Sequence, residues 1–332
     1  MRSMRVASLG ATLGVLVLGS AALAQSPSAP AASAVDCGTD VQKLGYSPLN
    51  MEFDYFRFTE QGIREVTDAC GIELSIADPK GDAASQVSGI ENLIAAGIEG
   101  VGIVSIDPVA INTAVEAAHA AGIPVVSQVS TFEGADAYVG LPEHEFGRLQ
   151  GQANGQALLA LKPDKETYKV AVLNADSLGS GLLDRKQGLI DGLGESVTNY
   201  EIVSDVEAWA EDTALSAVET ILQANPDLDL IMTVNDPGSL GARSAVQSAG
   251  KALNTDVIVG GLGIDKRVLE GVLAGDFPAS VSPEPVNTGR MIAQALVTLA
   301  SGGTVETQID VPPVLITTEN AQAYIDLLYP AQ

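Results

Sequence analysis

An unusual concentration of aromatic side chains lies near the start of the chain, in the stretch Asn50–Phe58 ("NMEFDYFRF"). Phe53, Tyr55, Phe56 and Phe58 fall within six residues, although the whole chain has only one Trp, seven Tyr and six Phe. An aromatic side chain loses little entropy on binding because it has only two torsions, and its flat ring suits the apolar C–H faces of sugars and polyols. The stretch therefore predicts a stacking surface for a small ligand. The alternative is that the four rings only pack one face of a helix.

Motifs of the common catalytic sites do not occur in the sequence, which has no GxSxG elbow, no Walker loop and no HExxH. His119 lies in a helical pattern ("EAAHAAGIP"), and His144 lies between two acids ("PEHEFG"). The segment 260–263 ("GGLG") follows a strand pattern but lacks the spacing of a dinucleotide-binding loop. The sequence predicts a binding protein and not an enzyme, with no cofactor and no metal site.

The first 24 residues have the pattern of a signal peptide. Arg2 and Arg5 precede an apolar stretch, Val6–Leu18, and a small-residue cleavage site follows at Ala22–Ala24. A membrane anchor is the alternative, but the apolar stretch is short and is interrupted by glycine. Residues 25–36 are predicted to be a linker. An exported, periplasmic protein that is free in solution is expected.

The net charge is strongly negative, at −25 for the whole chain. Removal of residues 1–24 takes away two of the 17 basic residues and no acid, which leaves 15 basic against 42 acidic residues and a net charge of −27. Such a charge argues against nucleic acid or an anionic membrane surface as a partner.

The chain has two cysteines, Cys37 and Cys70. Export makes a disulfide possible. Cys37 precedes the first predicted strand and Cys70 ends the first predicted helix, so in a parallel sheet both lie at the same edge and could form a bridge. The spacing of the pair does not fit a metal site.

Short β-branched runs alternate with apolar-periodic stretches of 12–18 residues, and this alternation predicts right-handed βαβ units in parallel sheets with helices on both faces. The predicted strands are Val41–Tyr46, Ile72–Ala77, Val101–Val104, Val125–Ser127, Val170–Leu173, Glu201–Ser204, Leu230–Val234 and Val257–Gly261. The predicted helices are Phe56–Ala69, Ala83–Ala96, Val109–Ala121, Phe146–Leu161, Leu182–Leu193, Ala210–Ala224, Ser239–Ala249 and Lys266–Ala274. Eight strands are more than we expect in one sheet with a single switch point, and the alternating pattern restarts near Lys169. We therefore expect two similar doubly wound α/β domains. Ligands are expected at the carboxyl ends of their strands, where the aromatic stretch lies.

The order and spacing of several short motifs resemble those of ribose-binding-type periplasmic proteins, which deliver sugars to ABC importers. The resemblance covers residues 41–326. The motifs that carry it are "YF" (Tyr55-Phe56) followed by "EQGI", then "NLIAAGIEGVGIVSIDPVA", "AHAAGIPVVS", "DRKQGL", "PDLDLIMTVND", "VIVGGLG" and "VPPVLITTENAQAY". The resemblance implies the type I periplasmic binding protein fold, with two parallel-sheet domains joined by a three-segment hinge.

The resemblance also implies roles for individual residues. Tyr55 and Phe56 match the ring pair that stacks on the sugar, and Trp209 stands where a third ring is expected; Phe53 and Phe58 would then turn into the core. Arg185 and Asn235 match residues that hydrogen-bond the sugar. A structural salt bridge is the alternative role for Arg185, and a helix cap before Pro237 is the alternative for Asn235.

Four polar positions of the ribose binders are missing here, which argues against ribose as the ligand. Val129 and Ser130 replace an Asp-Arg pair, with Gln128 beside them, and Leu262, Pro283 and Phe53 replace polar residues. Either a less hydroxylated ligand is bound, or new partners are supplied by Gln128, Ser130, Glu52, Asp236 and Glu284.

The predicted domains are 37–142 with 284–311 and 143–283 with 312–332, connected near Pro142, Pro283 and Pro312. The predicted function is capture of a small neutral sugar or polyol by hinge closure, and its delivery to an ABC permease by a monomeric protein. The alternative is a sensor that presents its ligand to a chemotaxis or quorum-sensing receptor. A transcription regulator would need a DNA-binding segment where the signal peptide stands.

Overall fold

The computed structural model describes Cys37 and residues 41–330. The predicted signal peptide (1–24) and linker (25–36) lie outside the described residues. Within the described part, no helix has both the length and the apolar character needed to cross a membrane.

The first sheet of the described chain has six strands, all paired in parallel. Its strands in chain order are β1 (Lys43–Ser47), β2 (Glu73–Ile76), β3 (Val101–Ile103), β4 (Val125–Gln128), β5 (Ala137–Gly140) and β11 (Gln308–Asp310). The spatial order is β11-β5-β4-β3-β1-β2. Because β1 lies between β3 and β2, the chain reverses its direction of travel across the sheet there, which is the arrangement that opens a crevice at the carboxyl ends.

A second parallel sheet has the order β7-β6-β8-β9. These strands are β6 (Tyr168–Asn174), β7 (Tyr200–Glu207), β8 (Leu230–Thr233) and β9 (Ile258–Val259). Two further strands, β10 (Ser280–Ser282) and β12 (Val314–Ile316), pair antiparallel with each other. The two parallel sheets confirm the doubly wound α/β class that the alternating pattern predicts.

Helices connect the strands and cover the sheets. They are α1 (Asp54–Cys70), α2 (Ala83–Ala95), α3 (Asn112–Ala120), α4 (Glu143–Leu161), α5 (Ser180–Ser196), α6 (Glu211–Ala224), α7 (Asp236–Ser248), α8 (Lys266–Ala274), α9 (Pro285–Ala300) and α10 (Ala321–Leu328), with a short 3₁₀ turn at Asp176–Leu178. Along the chain α9 follows β10, yet it packs against α1 and strands of the first sheet, whereas α10 packs against α8.

All eight predicted strands and all eight predicted helices occur, with ends that differ by a few residues. The strands β5, β10, β11 and β12 were not predicted. The helices α9 and α10 were not predicted either, although α9 has a helical pattern of apolar residues that includes Val286, Ile292 and Leu296.

Phe53 corrects one expectation about the aromatic stretch. It is the N-cap residue of α1, and its side chain is 55% exposed instead of turning into the core. Phe58 is buried as expected, with its ring edge-on to that of Tyr329 at 5.3 Å between centroids. The difference arises because Phe53 precedes the first helical turn and so lies outside the buried stripe that α1 forms.

A disulfide joins Cys37 to Cys70, at the last residue of α1. The bridge expected as a possibility from the sequence is therefore present. It closes a loop across 33 residues that contains both β1 and α1.

We expect the double substitution Cys37→Ser with Cys70→Ser to lower the free energy of unfolding by about 3 kcal/mol, because an open chain gains loop entropy when it unfolds. Urea unfolding of the variant and of the wild type, each with and without a reductant, measures this loss. The reductant should destabilise the wild type alone, and equal stability of the two proteins without reductant would contradict the prediction.

Helices α4 and α5 cross at backbone contact distance. A Cβ atom added to Gly188 would lie 1.9 Å from the carbonyl oxygen of His144, and one added to Gly147 would lie 2.0 Å from that of Arg185. Only glycine permits so close an approach at these two positions. The crossing brings the start of α4, with Glu143, next to the part of α5 that carries Arg185.

Candidate functional site

A cavity of about 260 Å³ lies where the carboxyl ends of strands from both parallel sheets face each other. The wall on the side of the first sheet is formed by Tyr55, Phe56, Val129, Tyr138 and Leu141. The wall on the side of the second sheet is formed by Glu143, Phe146, Arg185, Asn235, Asp236, Leu262, Gly263 and Pro283. Residues that are far apart in the sequence thus meet because parallel strands end at a common edge.

Four aromatic rings stand in this wall, with Tyr55, Phe56 and Tyr138 on the side of the first sheet and Phe146 on the side of the second. Tyr55 and Phe56 lie in the first turn of α1, with their rings edge-on at 5.3 Å. Burial raises the pKa of the Tyr55 hydroxyl, so this group stays a neutral hydrogen-bonding phenol. The ring of Phe146 on α4 has the Arg185 guanidinium over its face, at 4.8 Å from the ring centroid.

Arg185 is held by two hydrogen bonds and a further ion-pair contact. Its Nε and Nη2 atoms each lie 2.7 Å from Oε2 of Glu143, and Nη1 donates to the carbonyl oxygen of Val234 at 2.8 Å. Both charged side chains are mostly buried, with 15% of Arg185 and 21% of Glu143 exposed. Burial raises the pKa of Glu143, and the neighbouring guanidinium opposes this shift. The pair is a structural salt bridge within the cavity wall, so the two roles considered for Arg185 are compatible.

Asn235 and Asp236 begin α7 at the carboxyl end of β8. The Asn235 side chain caps the helix by accepting a hydrogen bond from the Gly238 amide at 2.9 Å, and its Nδ2 donates to the Trp209 carbonyl oxygen at 3.0 Å. Asp236 accepts a hydrogen bond from the Asp265 amide at 2.7 Å. Burial raises the pKa of Asp236 to about 7. This carboxyl group therefore changes its charge near neutral pH at the cavity wall.

Comparison with known proteins identifies the family. A model of the periplasmic binding protein domain matches residues 44–304, which is most of the chain. The chain belongs to this family.

Individual relatives agree with that assignment. The ribose import binding protein of Bacillus subtilis is 27% identical over 289 residues, which cover 82% of this chain and 87% of the relative. A solute-binding protein of an ABC transporter from Mycobacterium smegmatis, solved with bound glycerol, is 26% identical with a TM-score of 0.69, covering 86% of this chain and 96% of that one. Another from Actinobacillus succinogenes, solved with bound D-allose, shares the fold at 23% identity, with a TM-score of 0.74 over 85% of this chain and all of that one. The family is one of binding proteins and not of enzymes.

Of the nine residues predicted for the binding site of this periplasmic binding protein, five line the cavity. These are Tyr55, Phe56, Arg185, Asn235 and Asp236. Within the described residues, no group of three or more His, Cys, Asp or Glu side chains could hold a metal ion.

The other four predicted residues lie outside the wall. Gln128 is fully buried beneath it, where it accepts a hydrogen bond from the Tyr46 hydroxyl at 2.9 Å and donates to Thr59 at 3.3 Å. Glu284 is also buried and accepts a hydrogen bond from the Tyr324 hydroxyl at 2.6 Å. Ser130 is exposed. Trp209 is 40% exposed and does not line the cavity, and its backbone carbonyl oxygen accepts a hydrogen bond from Asn235.

Several residues of the wall were not predicted as binding residues. Val129, Leu262 and Pro283 are positions where this chain departs from the ribose binders, and that departure was the available signal. Glu143 and Phe146 follow Pro142, where a crossing between domains was expected. Tyr138 lies on β5, which the sequence pattern did not reveal.

We expect the stability of the protein to depend on the ionisation of Asp236. Because its folded-state pKa is about 7 and its ordinary value is 3.8, the folded protein retains a proton that the unfolded chain has released between those pH values. The free energy of unfolding of the wild type, relative to that of Asp236→Asn, should therefore fall as pH rises from roughly 5 to 6.5, by about 1.4 kcal/mol per pH unit. Urea unfolding of both proteins across this range measures the difference, and a difference that does not change with pH would contradict the assigned ionisation.

Proposed function

We propose that this periplasmic binding protein captures a small neutral sugar or polyol between its two parallel sheets and presents it to an ABC permease. The observation that carries the proposal is the composition of the cavity wall. Rings at Tyr55 and Phe56 offer flat apolar surface from one side, and Arg185, Asn235 and Asp236 offer hydrogen-bonding groups from the other. Hydroxylated rings and chains need both kinds of contact, because their C–H faces are apolar and their hydroxyls require partners.

The names and bound ligands of the relatives support this class of ligand. Transport is also favoured over a sensor role, since the Bacillus subtilis relative is an import binding protein and the Mycobacterium smegmatis relative belongs to an ABC transporter. We further propose that the protein acts as a monomer in the periplasm.

The proposed mechanism is closure of two lobes about the ligand. One lobe consists of 37–142 with 284–311, and the other of 143–283 with 312–332, with connections near Pro142, Pro283 and Pro312. The packing of α9 against α1, and of α10 against α8, supports this division. A ligand that contacts both walls binds the closed form better than the open one, so closure tracks occupancy and offers the permease a signal.

A thermal-shift screen of pentoses, hexoses, polyols and small acids tests the proposal. At a ligand concentration 100 times Kd, binding adds about 2.7 kcal/mol to the stability of the folded state, so the cognate ligand should raise Tm by several degrees. The Tyr55→Ala variant should lose this shift. Phe53→Ala is the matched control, because Phe53 is an exposed ring two residues away that does not line the cavity. A shift with charged acids but with no sugar or polyol would contradict the proposal.

A further inference from the structure

The two sides of the cavity differ in chemistry. Every charged or amide side chain in the described wall, namely Glu143, Arg185, Asn235 and Asp236, comes from the side of the second sheet. The opposite side offers aromatic and aliphatic surface, and its polar groups among the described side chains are the hydroxyls of Tyr55 and Tyr138. A ligand seated here has one edge that meets hydrogen-bonding groups and one that meets mainly carbon.

Val129 adds aliphatic surface to the first-sheet side, beside Phe56 and Leu141. Its backbone has a φ of +68°, which is rare for a β-branched residue, and its side chain is 50% exposed where it lines the cavity. The amide of Ser130 donates to the carbonyl oxygen of Gln128 at 2.8 Å, so Val129 is the central residue of a three-residue turn of the strained, positive-φ kind.

Buried contacts fix this turn in place. The Gln128 side chain is anchored to Tyr46 at 2.9 Å and to Thr59 at 3.3 Å, in the core beneath the wall. Asn, Asp or Gly would adopt the positive φ with less strain, and the first two would add a polar group to the wall. Valine at this position instead presents two methyl groups to the cavity from a rigid support.

Hydrogen-bonding capacity on the second-sheet side is also limited. Three of the guanidinium nitrogens of Arg185 are engaged by Glu143 and the Val234 carbonyl oxygen, and the Asn235 amide caps α7 and contacts Trp209. Gln128, Glu284 and Ser130 do not reach the wall to replace the missing partners. A ligand with a hydroxyl on every carbon would therefore bury some of its hydroxyls in the cavity without a hydrogen-bonding partner.

Resting on the proposed sugar or polyol function, we infer that the ligand is a deoxygenated or methylated sugar or polyol, whose unsubstituted or methyl-bearing carbon faces Val129. Its hydroxyls face Asp236, Asn235 and Glu143. A hydroxyl buried against Val129 without a partner weakens binding about tenfold or more, so this one residue discriminates between a deoxy sugar and its hydroxylated counterpart.

Matched sugar pairs test the inference by titration calorimetry. The pairs are D-fucose with D-galactose, L-rhamnose with L-mannose, and 2-deoxy-D-ribose with D-ribose. The wild type should bind the deoxy member of at least one pair about tenfold or more tightly than its partner. Equal or tighter binding of the hydroxylated members overturns the inference and leaves the proposed function standing. If none of the six sugars binds, the inference is overturned, and the thermal-shift screen, which includes polyols, decides the proposed function separately.

The Val129→Thr variant tests whether Val129 causes the preference for the deoxy sugar. Threonine keeps the size and the β-branching of valine but replaces one methyl group with a hydroxyl, so the preference for the deoxy sugar should shrink about tenfold. Val109→Thr is the control, because Val109 is 77% exposed and does not line the cavity. An unchanged preference in Val129→Thr, or an equal change in both variants, overturns the role of Val129.

Discussion

Replacement of Arg185 by methionine is expected to lower the free energy of unfolding by about 3–5 kcal/mol and to reduce ligand affinity below detection. Methionine keeps much of the length and packing of the side chain but removes the charge that pairs with Glu143 at 2.7 Å. The Glu143 carboxylate is then left mostly buried without its partner, which is the costly way to break a buried ion pair. Affinity falls further because the guanidinium also shapes the wall between Phe146 and Val234.

A second substitution separates the effect on stability from the effect on ligand affinity. In the double variant Glu143→Gln with Arg185→Met no charge is left unpaired, so stability should return to within about 1–2 kcal/mol of the wild type while binding stays lost. Arg57→Met is the control, because its pairing with Asp54 is exposed and such pairs contribute about 1 kcal/mol or less. Urea unfolding gives the stabilities, and calorimetry with the ligand found in the thermal-shift screen gives the affinities. Unchanged stability of the Arg185→Met single variant would show that Glu143 does not depend on this partner.

The sequence predicted the arrangement of this fold because the chain repeats one strand-and-helix unit, and handedness then leaves few ways to assemble such units. It did not predict every strand of the sheets. The strands β5, β10, β11 and β12 have three or four residues each, and pairing between distant segments stabilises them more than local preference does. Such pairing has no signature in a single sequence.

The sequence predicted those site residues whose position depends mainly on where a strand ends. Tyr55 and Phe56 lie at the start of the helix that follows β1, and Asn235 and Asp236 lie just after β8, so the carboxyl ends of the strands bring all four to the cavity. Arg185, further along a helix, was predicted from the resemblance instead.

The prediction was weaker where a side chain can turn either way. Gln128 ends β4 next to the cavity, but it points into the core towards Tyr46, and the positive φ of Val129 then turns the next side chain into the wall. A single sequence identifies the loop that approaches a ligand, but it does not give the backbone angle that decides which of two neighbouring residues faces the ligand.

Glu143 shows how helix packing adds to the site in a way that the sequence did not reveal. It is the first residue of α4, three residues before the predicted start, and it reaches Arg185 because α4 and α5 touch through glycines. The ion pair at the cavity wall therefore depends on residues that have no contact with the cavity themselves.

Gly188→Ala is expected to destabilise the protein by at least about 4 kcal/mol, because the new methyl group would lie 1.9 Å from the His144 carbonyl oxygen and 2.8 Å from its carbon. Two helix backbones would have to separate, since no flexible side chain is available to move aside. Arg185 lies one turn earlier on α5, so the separation should also lengthen its contact with Glu143 and weaken ligand binding.

Gly194→Ala provides the matched control on the same helix. An added methyl group there would meet only the Tyr200 hydroxyl, at 3.6 Å, and alanine favours a helix over glycine by about 0.5–1 kcal/mol, so this variant should be slightly more stable than the wild type. Unfolding free energies of the two variants, with calorimetry on whichever remains folded, therefore separate helix propensity from helix contact. Equal stability of Gly188→Ala and Gly194→Ala would contradict the close backbone contact between α4 and α5 that places Glu143 next to Arg185.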